Sequence, residues 1–311
     1  MTTLAQSQEL EQRFFETVVA GDDYSFQKMS SDSTDYLRIY AREEGIARSL
    51  MTPKQTSWSE LDHAVDTELP FKVEYKEPFN PPALTAGFGT TPPETSLWHA
   101  RYPIYFHRLL SPRIKKDIGL LMNTPHDVRQ ITTENLAKDM MAEEDNKLFA
   151  MIATILGTID VASVFVPGST MYRSIPGFTR ANLVAGKQIL QQTPYHVPPT
   201  RAVCNNVTWT AMEAFTRDEV GGNKSEDLFL EGNTSGRWLG LDWKVTIKRH
   251  LVNDYFIYYF GPENMLGKFR YLEDITLWAE KRAFMLDFFL HGMYGMAIGH
   301  AGAVACAKLT A

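Results

Sequence analysis

The chain has 311 residues and a mass of 35.3 kDa, with 44% hydrophobic and 22% charged residues, enough for one large or two modest domains with real cores. That apolar fraction excludes a disordered chain, and 20 glycines with 16 prolines exclude collagen-like and low-complexity classes. Thirty-seven acids against 31 bases argue against a surface built throughout to neutralise nucleic-acid phosphates, while two cysteines, Cys204 and Cys306, exclude a disulfide scaffold and fit a reducing compartment.

The N-terminus, MTTLAQSQELEQRFF, lacks the basic start and apolar core of a signal peptide. The triplets at Asn206 and Asn233 therefore read as chance matches to a glycosylation pattern. In the first 50 residues, Leu10, Phe14, Phe15, Val18 and Val19 share a helical face that ends at Gly21, and a second helical piece spans 35–50. The region holds nine acids and five bases, a net −4 arm.

Residues 68–76 alternate, with Leu69, Phe71, Val73 and Tyr75 on one side and Lys72, Glu74 and Lys76 on the other, which predicts a strand with one solvated face. Residues 78–93 contain five prolines and two glycines, and 97–106 extend again with Trp98, Tyr102, Ile104 and Phe106. The economical reading is a two-stranded arm with a long tip. A lone hairpin is marginal in water, so something must lie against it. Phe79, Phe88 and Trp98 on this extension would be exposed in an isolated monomer, the mark of an interaction surface.

A mildly basic island follows at 113–131. Next comes the strongest helix signal, Thr133 to Gly157, with caps at Thr132 and Thr133 and a four-residue repeat of Leu136, Met140, Leu148, Ile152 and Leu156. Its acids Glu143, Glu144 and Asp145 read as a solvated band. Beyond 161 the pattern is mixed: helix 178–191, strand 204–210, helix 211–220, a polar glycine-rich stretch at 221–236, strands 238–247 and 251–260, and a strand-like run at 275–290. Residues 283–306 are apolar enough to span a bilayer and hold a Gly295–Gly299 small-residue spacing, but Asp287, His291 and His300 and four glycines favour buried strands over a membrane span.

The search for chemistry yields little. No nucleotide loop, zinc-protease motif or nucleophile elbow is present. The cysteines lie 102 residues apart, and His99 and His107 are roughly 27 Å apart on an extended strand at ~3.4 Å per residue. His291 and His300 read as core or turn histidines. Glu143–Asp145 has no histidine within a helical turn, unlike a di-metal bundle. His126-Asp127 lacks a nucleophile. Lys248-Arg249-His250 beside Tyr255 and Phe256 reads as a solvated strand end more readily than as a nucleic-acid contact. No catalytic, cofactor or metal site is expected.

The order of elements resembles the tailed-bacteriophage major capsid proteins, whose fold is shared with herpesvirus capsid floors. The most specific residues are Leu251–Gly267, with its Phe-Gly-Pro turn, and Met296–Leu309. The resemblance implies an α+β capsid fold: an N-terminal arm (1–65), an extended two-stranded loop (66–112), a peripheral domain (113–177 and 261–290) with a spine helix at 133–157, and an axial domain (178–260 and 291–311). It implies a structural protein that self-assembles into hexamers and pentamers around viral double-stranded DNA without sequence-specific binding. Portal and scaffolding proteins, and a decoration protein, are the implied partners. The implied location is the virion, after assembly in the host cytoplasm.

On this reading Phe71, Tyr75, Phe79, Phe88, Trp98 and Tyr102 form the interface that lies across a neighbouring subunit. With about 30 residues before the resembling region, no large propeptide is expected. Lys72 and Lys76 mark where a covalent crosslink of the extended loop would fall. A C-terminal membrane anchor and a small soluble enzyme are the competing classes.

Overall fold

The computed structural model describes residues 45–64, 66–76, 101–119, 128–160, 164–165, 171–177, 179–192, 196–213, 215 and 237–310. In chain order these form α1 (Ile46–Leu50), β1 (Pro53–Gln55), a 3₁₀ turn (Trp58–Glu60), β2 (Phe71–Tyr75), β3 (Arg101–Tyr105), β4 (His107–Leu110), β5 (Ile114–Asp117) and α2 (Val128–Leu156). Then follow β6 (Thr158–Asp160), β7 (Val164–Phe165), β8 (Tyr172–Pro176), α3 (Arg180–Gln191), β9 (Arg201–Asn205), α4 (Asn206–Glu213), β10 (Arg237–Trp238), β11 (Leu241–Thr246) and β12 (Phe256–Phe260). The chain closes with α5 (Glu263–Leu266), β13 (Gly267–Arg282), β14 (Met285–Ile298), a 3₁₀ turn (Ala301–Ala303) and β15 (Val304–Thr310). The chain divides into two compact units.

The first unit takes its described residues from 1–72, 104–148 and 269–296. Its five-stranded sheet runs β1-β13-β14-β4, with β5 also on β14. β1 is parallel to β13, and β4 and β5 are antiparallel to β14. Along β14, Leu286, Phe288, Leu290 and Tyr294 are buried at a period of two, the signature of a strand with one face on a core. Gly295 permits a close backbone approach there, because a Cβ would sit 2.6 Å from the Tyr105 carbonyl oxygen.

The apolar stretch 283–306 thus resolves into a turn, β14, a 3₁₀ turn and the start of β15. Among the described residues no helix is long and apolar enough to cross a membrane. The expected strand at 275–290 is instead two long strands joined at Ala283, whose φ of 54° turns the chain.

The second unit takes its described residues from 73–103, 149–268 and 297–311. Its six-stranded sheet has the order β10-β11-β9-β12-β15-β8, with β11 parallel to β9, β15 parallel to β8, and the other pairs antiparallel. Leu183, Ile189 and Leu190 of α3 and Trp209 and Met212 of α4 form one core with Ala202, Cys204, Trp243, Ile257 and Tyr259 of the sheet. Every residue of β12 is buried, as expected for a central strand covered on both faces, and Phe149 packs edge-on to Tyr258 at 5.4 Å. Both cysteines are buried on this sheet, and burial pushes the Cys204 thiol up to about 12.

Several local expectations shift. The long helix starts at Val128 and has 29 residues, so Thr132 and Thr133, expected as its caps, lie inside the helix instead. Where a strand was expected through Thr210, the strand ends at Asn205. The Asn205 side chain accepts from the Val207 N–H at 3.2 Å and opens α4, which occupies 206–213. The expected 238–247 strand is broken into β10 and β11 by Leu239 and Gly240, both at positive φ, the conformation of a tight hairpin turn. Of the expected 251–260 strand only Phe256–Phe260 is extended, because Tyr255 has φ 65°. Helix α3 begins behind Thr179, whose hydroxyl accepts from the Asn182 N–H.

Candidate assembly surface

Within the span 66–112 read from the sequence as an extended loop, β2 and β3 pair as a two-stranded sheet, while β4 joins the five-stranded sheet. Phe71 is 8% exposed and packs against Tyr105 at 5.9 Å, so its ring is tied into the chain. Tyr75 is 58% exposed, with the Arg101 guanidinium 5.1 Å over its ring. Tyr102 is half-buried, and a Cβ on Gly299 would meet its ring at 2.9 Å. The clean alternation expected for β2 gives way to a strand half-buried from Lys72 to Glu74. Phe79, Phe88 and Trp98 lie outside the described residues, as does the acidic arm before residue 45. Trp58, Leu69 and Tyr105 add exposed apolar side chains in the segments flanking the extension.

Lys72 donates from Nζ to Glu60 Oε2 at 2.7 Å, and this bond holds the Glu60 carboxyl below its usual range. Burial, and then the charge of Lys76, depresses His300 to about 4. The His300 Nδ1 accepts from the Gly302 N–H at 3.2 Å at the start of the last 3₁₀ turn.

The base of the N-terminal segment is fixed by a buried ionic cluster that overturns the solvated-band reading of the helix acids. Glu144 is 1% exposed and Asp145 is fully buried, whereas Glu143 faces solvent. Arg48 donates to Glu144 twice, Nε to Oε2 at 2.7 Å and Nη2 to Oε1 at 2.8 Å, and its Nη1 lies 3.0 Å from Asp274 Oδ1. Asp145 Oδ1 accepts the Ala47 N–H at 2.8 Å. Burial works against the Arg48 charge, but the carboxylates more than offset it and raise its pKa. Burial likewise pushes the Glu144 carboxyl up, against the pull of Arg48. These residues escaped the sequence reading, although a signal was present: Glu144 occupies the four-residue row of Leu136, Met140 and Leu148.

The remaining sequence candidates fall apart spatially or find structural partners. His291 Nε2 lies 2.9 Å from Glu273 Oε1, a local pair on the hairpin. Arg113 bridges Glu280 at 3.1 Å and the buried Asp287. Lys248-Arg249-His250 sits in the connection between β11 and β12, as a turn rather than a strand end. His99 and His126 lie outside the described residues. Among the described residues no group of three or more His, Cys, Asp or Glu side chains is placed to hold a metal ion.

The described elements are a pair of strands β2–β3, a 29-residue helix, a five-stranded sheet with a long closing hairpin and a six-stranded sheet packed with α3 and α4. No protein-family model matches the sequence, and no curated protein matches it. Solved structures do. The chain is similar to the capsid of Cyanophage Pam1 with a TM-score of 0.57 and 10% identity, covering 83% of this chain and 88% of that one. For the capsid of Cyanophage P-SCSP1u the TM-score is 0.56 at 14% identity, covering 86% and 88%. A virus-like particle from Pyrococcus furiosus matches with a TM-score of 0.51 at 10% identity, covering 89% and 98%. The chain therefore has the tailed-phage capsid fold, as the sequence resemblance implied.

Proposed function

We propose that this chain is a major capsid protein, a non-enzymatic building block that self-assembles into hexamers and pentamers and closes an icosahedral head around double-stranded DNA. The observation that supports this reading is the similarity in fold of more than four-fifths of the chain to capsid subunits of known structure. The unit with the six-stranded sheet corresponds to the axial domain and the unit with the long hairpin to the peripheral domain. The extension, carrying Phe71, Tyr75, Phe79, Phe88, Trp98 and Tyr102, lies across the adjacent subunit. Apolar surface that is costly in a monomer becomes an intended contact in a closed assembly.

The net acidity suits a wall that confines DNA without binding it tightly. Portal, scaffolding and decoration proteins are its expected companions in the virion, with assembly in the host cytoplasm. The test is expression of the full chain followed by size-exclusion chromatography and negative-stain microscopy. Shells, capsomers or tubes are expected, and a monodisperse monomer at high concentration would overturn the proposal. Boiled in detergent, particles should give a single 35 kDa band, whereas a covalent ladder would point to Lys72 or Lys76 as a crosslinking residue.

A further inference from the structure

The long closing hairpin of the first unit carries two unlike surfaces at its opposite ends. At the tip β13 turns into β14 at Ala283, and Phe284 is left 79% exposed with Met285 beside it at 37%. The backbone there is fixed. The Phe284 carbonyl accepts the Ile118 N–H at 2.9 Å, and β5 pairs with β14 from Met285 to Phe288. The tip is basic: Arg113, Lys115, Lys116, Lys281 and Arg282 stand against Asp117 and Glu280. Glu280 occupies Arg113 and Arg282. Lys115 and Lys116 are exposed on opposite faces of β5 and make no ion pair among the described residues.

At the base of the hairpin the chain is acidic. Glu60, Asp62, Asp66 and Glu68 are all exposed, and no lysine or arginine stands between Trp58 and Leu69. Lys72 occupies Glu60, whereas Asp66 and Glu68 make no ion pair among the described residues. Leu69, next to them, is 47% exposed. This end is pinned as well: the Thr56 N–H donates to the Tyr271 carbonyl at 2.8 Å, the Asp62 N–H to the Phe71 carbonyl at 3.0 Å, and the Phe106 N–H to the Pro70 carbonyl at 2.9 Å.

From Tyr271 to Arg282 the strand β13 runs eleven residues, about 36 Å at ~3.3 Å per residue. The two surfaces therefore lie out of each other's reach within one subunit. Each presents an apolar side chain among charges of one sign, and the signs are opposite. Two different, complementary patches on one chain make a head-to-tail contact, the type that closes identical subunits into rings. We infer that the hairpin tip docks on the acidic base of a second copy of this chain. Phe284 lies on Leu69 of that copy, and Lys115 and Lys116, one to each side, face its Asp66 and Glu68. This inference rests on the capsid reading and names one subunit contact within it.

The test uses the full chain with Phe284→Cys and Leu69→Cys together, assembled and then mildly oxidised, so that a disulfide replaces the apolar contact it removes. The native Cys204 and Cys306 are buried and stay out of the reaction. The inference expects inter-chain disulfides, seen on non-reducing gels as a ladder that collapses with reductant. A disulfide confined to one chain, or none, overturns it. So does a covalent dimer formed by Phe284→Cys alone, which would show tip meeting tip. In parallel, Lys115→Glu with Lys116→Glu should raise the concentration needed for assembly about tenfold, which corresponds to ~1.4 kcal/mol. Adding Asp66→Lys and Glu68→Lys should restore it. If the reversed charges leave assembly unchanged, the lysines serve only to keep a strand soluble, and a defect that the second pair leaves uncorrected likewise counts against the contact. Failure of the wild-type chain to assemble at all would instead count against the capsid reading, so the two failures are told apart.

Discussion

Arg48 holds Glu144 in a two-point grip across 96 residues of sequence, with both bonds shorter than 2.9 Å and both side chains out of water. Asp274 sits on the third side of the guanidinium, and the Phe269 ring lies 5.6 Å from it. The contact ties α1, the first described element of the chain, to the long helix and to β13.

Removing one side of such a buried pair leaves an uncompensated charge, which typically costs ~3–5 kcal/mol. Arg48→Met should therefore destabilise the unit by about that much in denaturant unfolding. Arg48→Met combined with Glu144→Leu should recover part of the loss, because the charge stranded at Glu144 is then gone. If the double variant were less stable than the single one, the cluster would owe its stability to contacts other than the ion pair.

Gly295 has no room for a methyl group, with the Tyr105 oxygen 2.6 Å and the Ile104 Cγ2 2.8 Å from where a Cβ would stand. Gly295→Ala must push β14 away from backbone that cannot yield locally. A loss of ~1–3 kcal/mol is expected, read as a lower unfolding midpoint at an unchanged m-value.

Near neutral pH His300 is uncharged when folded, because burial and then the charge of Lys76 lower its pKa from the ordinary 6.5 to about 4. A depressed folded-state pKa means that the unfolded chain takes up the proton first. The stability contributed is complete above pH 6.5 and is lost as the pH falls towards 4. His300→Asn keeps an acceptor for the Gly302 N–H but cannot titrate. Its stability should fall less than that of the wild type between pH 6.5 and 4, measured by denaturant midpoints at each pH. Parallel pH profiles would show that His300 is not the responsible group.

Tyr75 contributes little to the fold, since a cation over an exposed ring is worth ~0.5–1 kcal/mol. Tyr75→Ser should leave the unfolding midpoint of the isolated subunit nearly unchanged while lowering the yield of assembled particles by microscopy. Equal losses in folding and assembly would show that Tyr75 serves the subunit rather than its neighbour.

The periodic features were legible from residues alone. The four-residue row from Leu136 to Leu156 announced the long helix, and the fit of the fold to capsid shells follows the element order read from the sequence. The aromatic content of the extension was equally plain, although which aromatics stay outside was not: Phe71 and Tyr75 share an alternating pattern, yet one is buried beneath Tyr105 and the other faces water. The closing hairpin was ambiguous because a long apolar run with scattered glycines satisfies a helix or a pair of strands. Only the pairing of β14 with β4 and β5 decides for strands.

Sequence by itself determined what depends on near neighbours: helix and strand periodicity and the supply of apolar surface. Tertiary structure decided what depends on partners far along the chain. Glu144 looks like any solvated acid among Glu143 and Asp145 until Arg48 arrives from another segment to make its burial tolerable. Ile247 and Tyr255 look like ordinary core residues until the turn between β11 and β12 is seen to carry them outward. A side chain's burial is set by what is brought against it, and that information is spread over the whole fold.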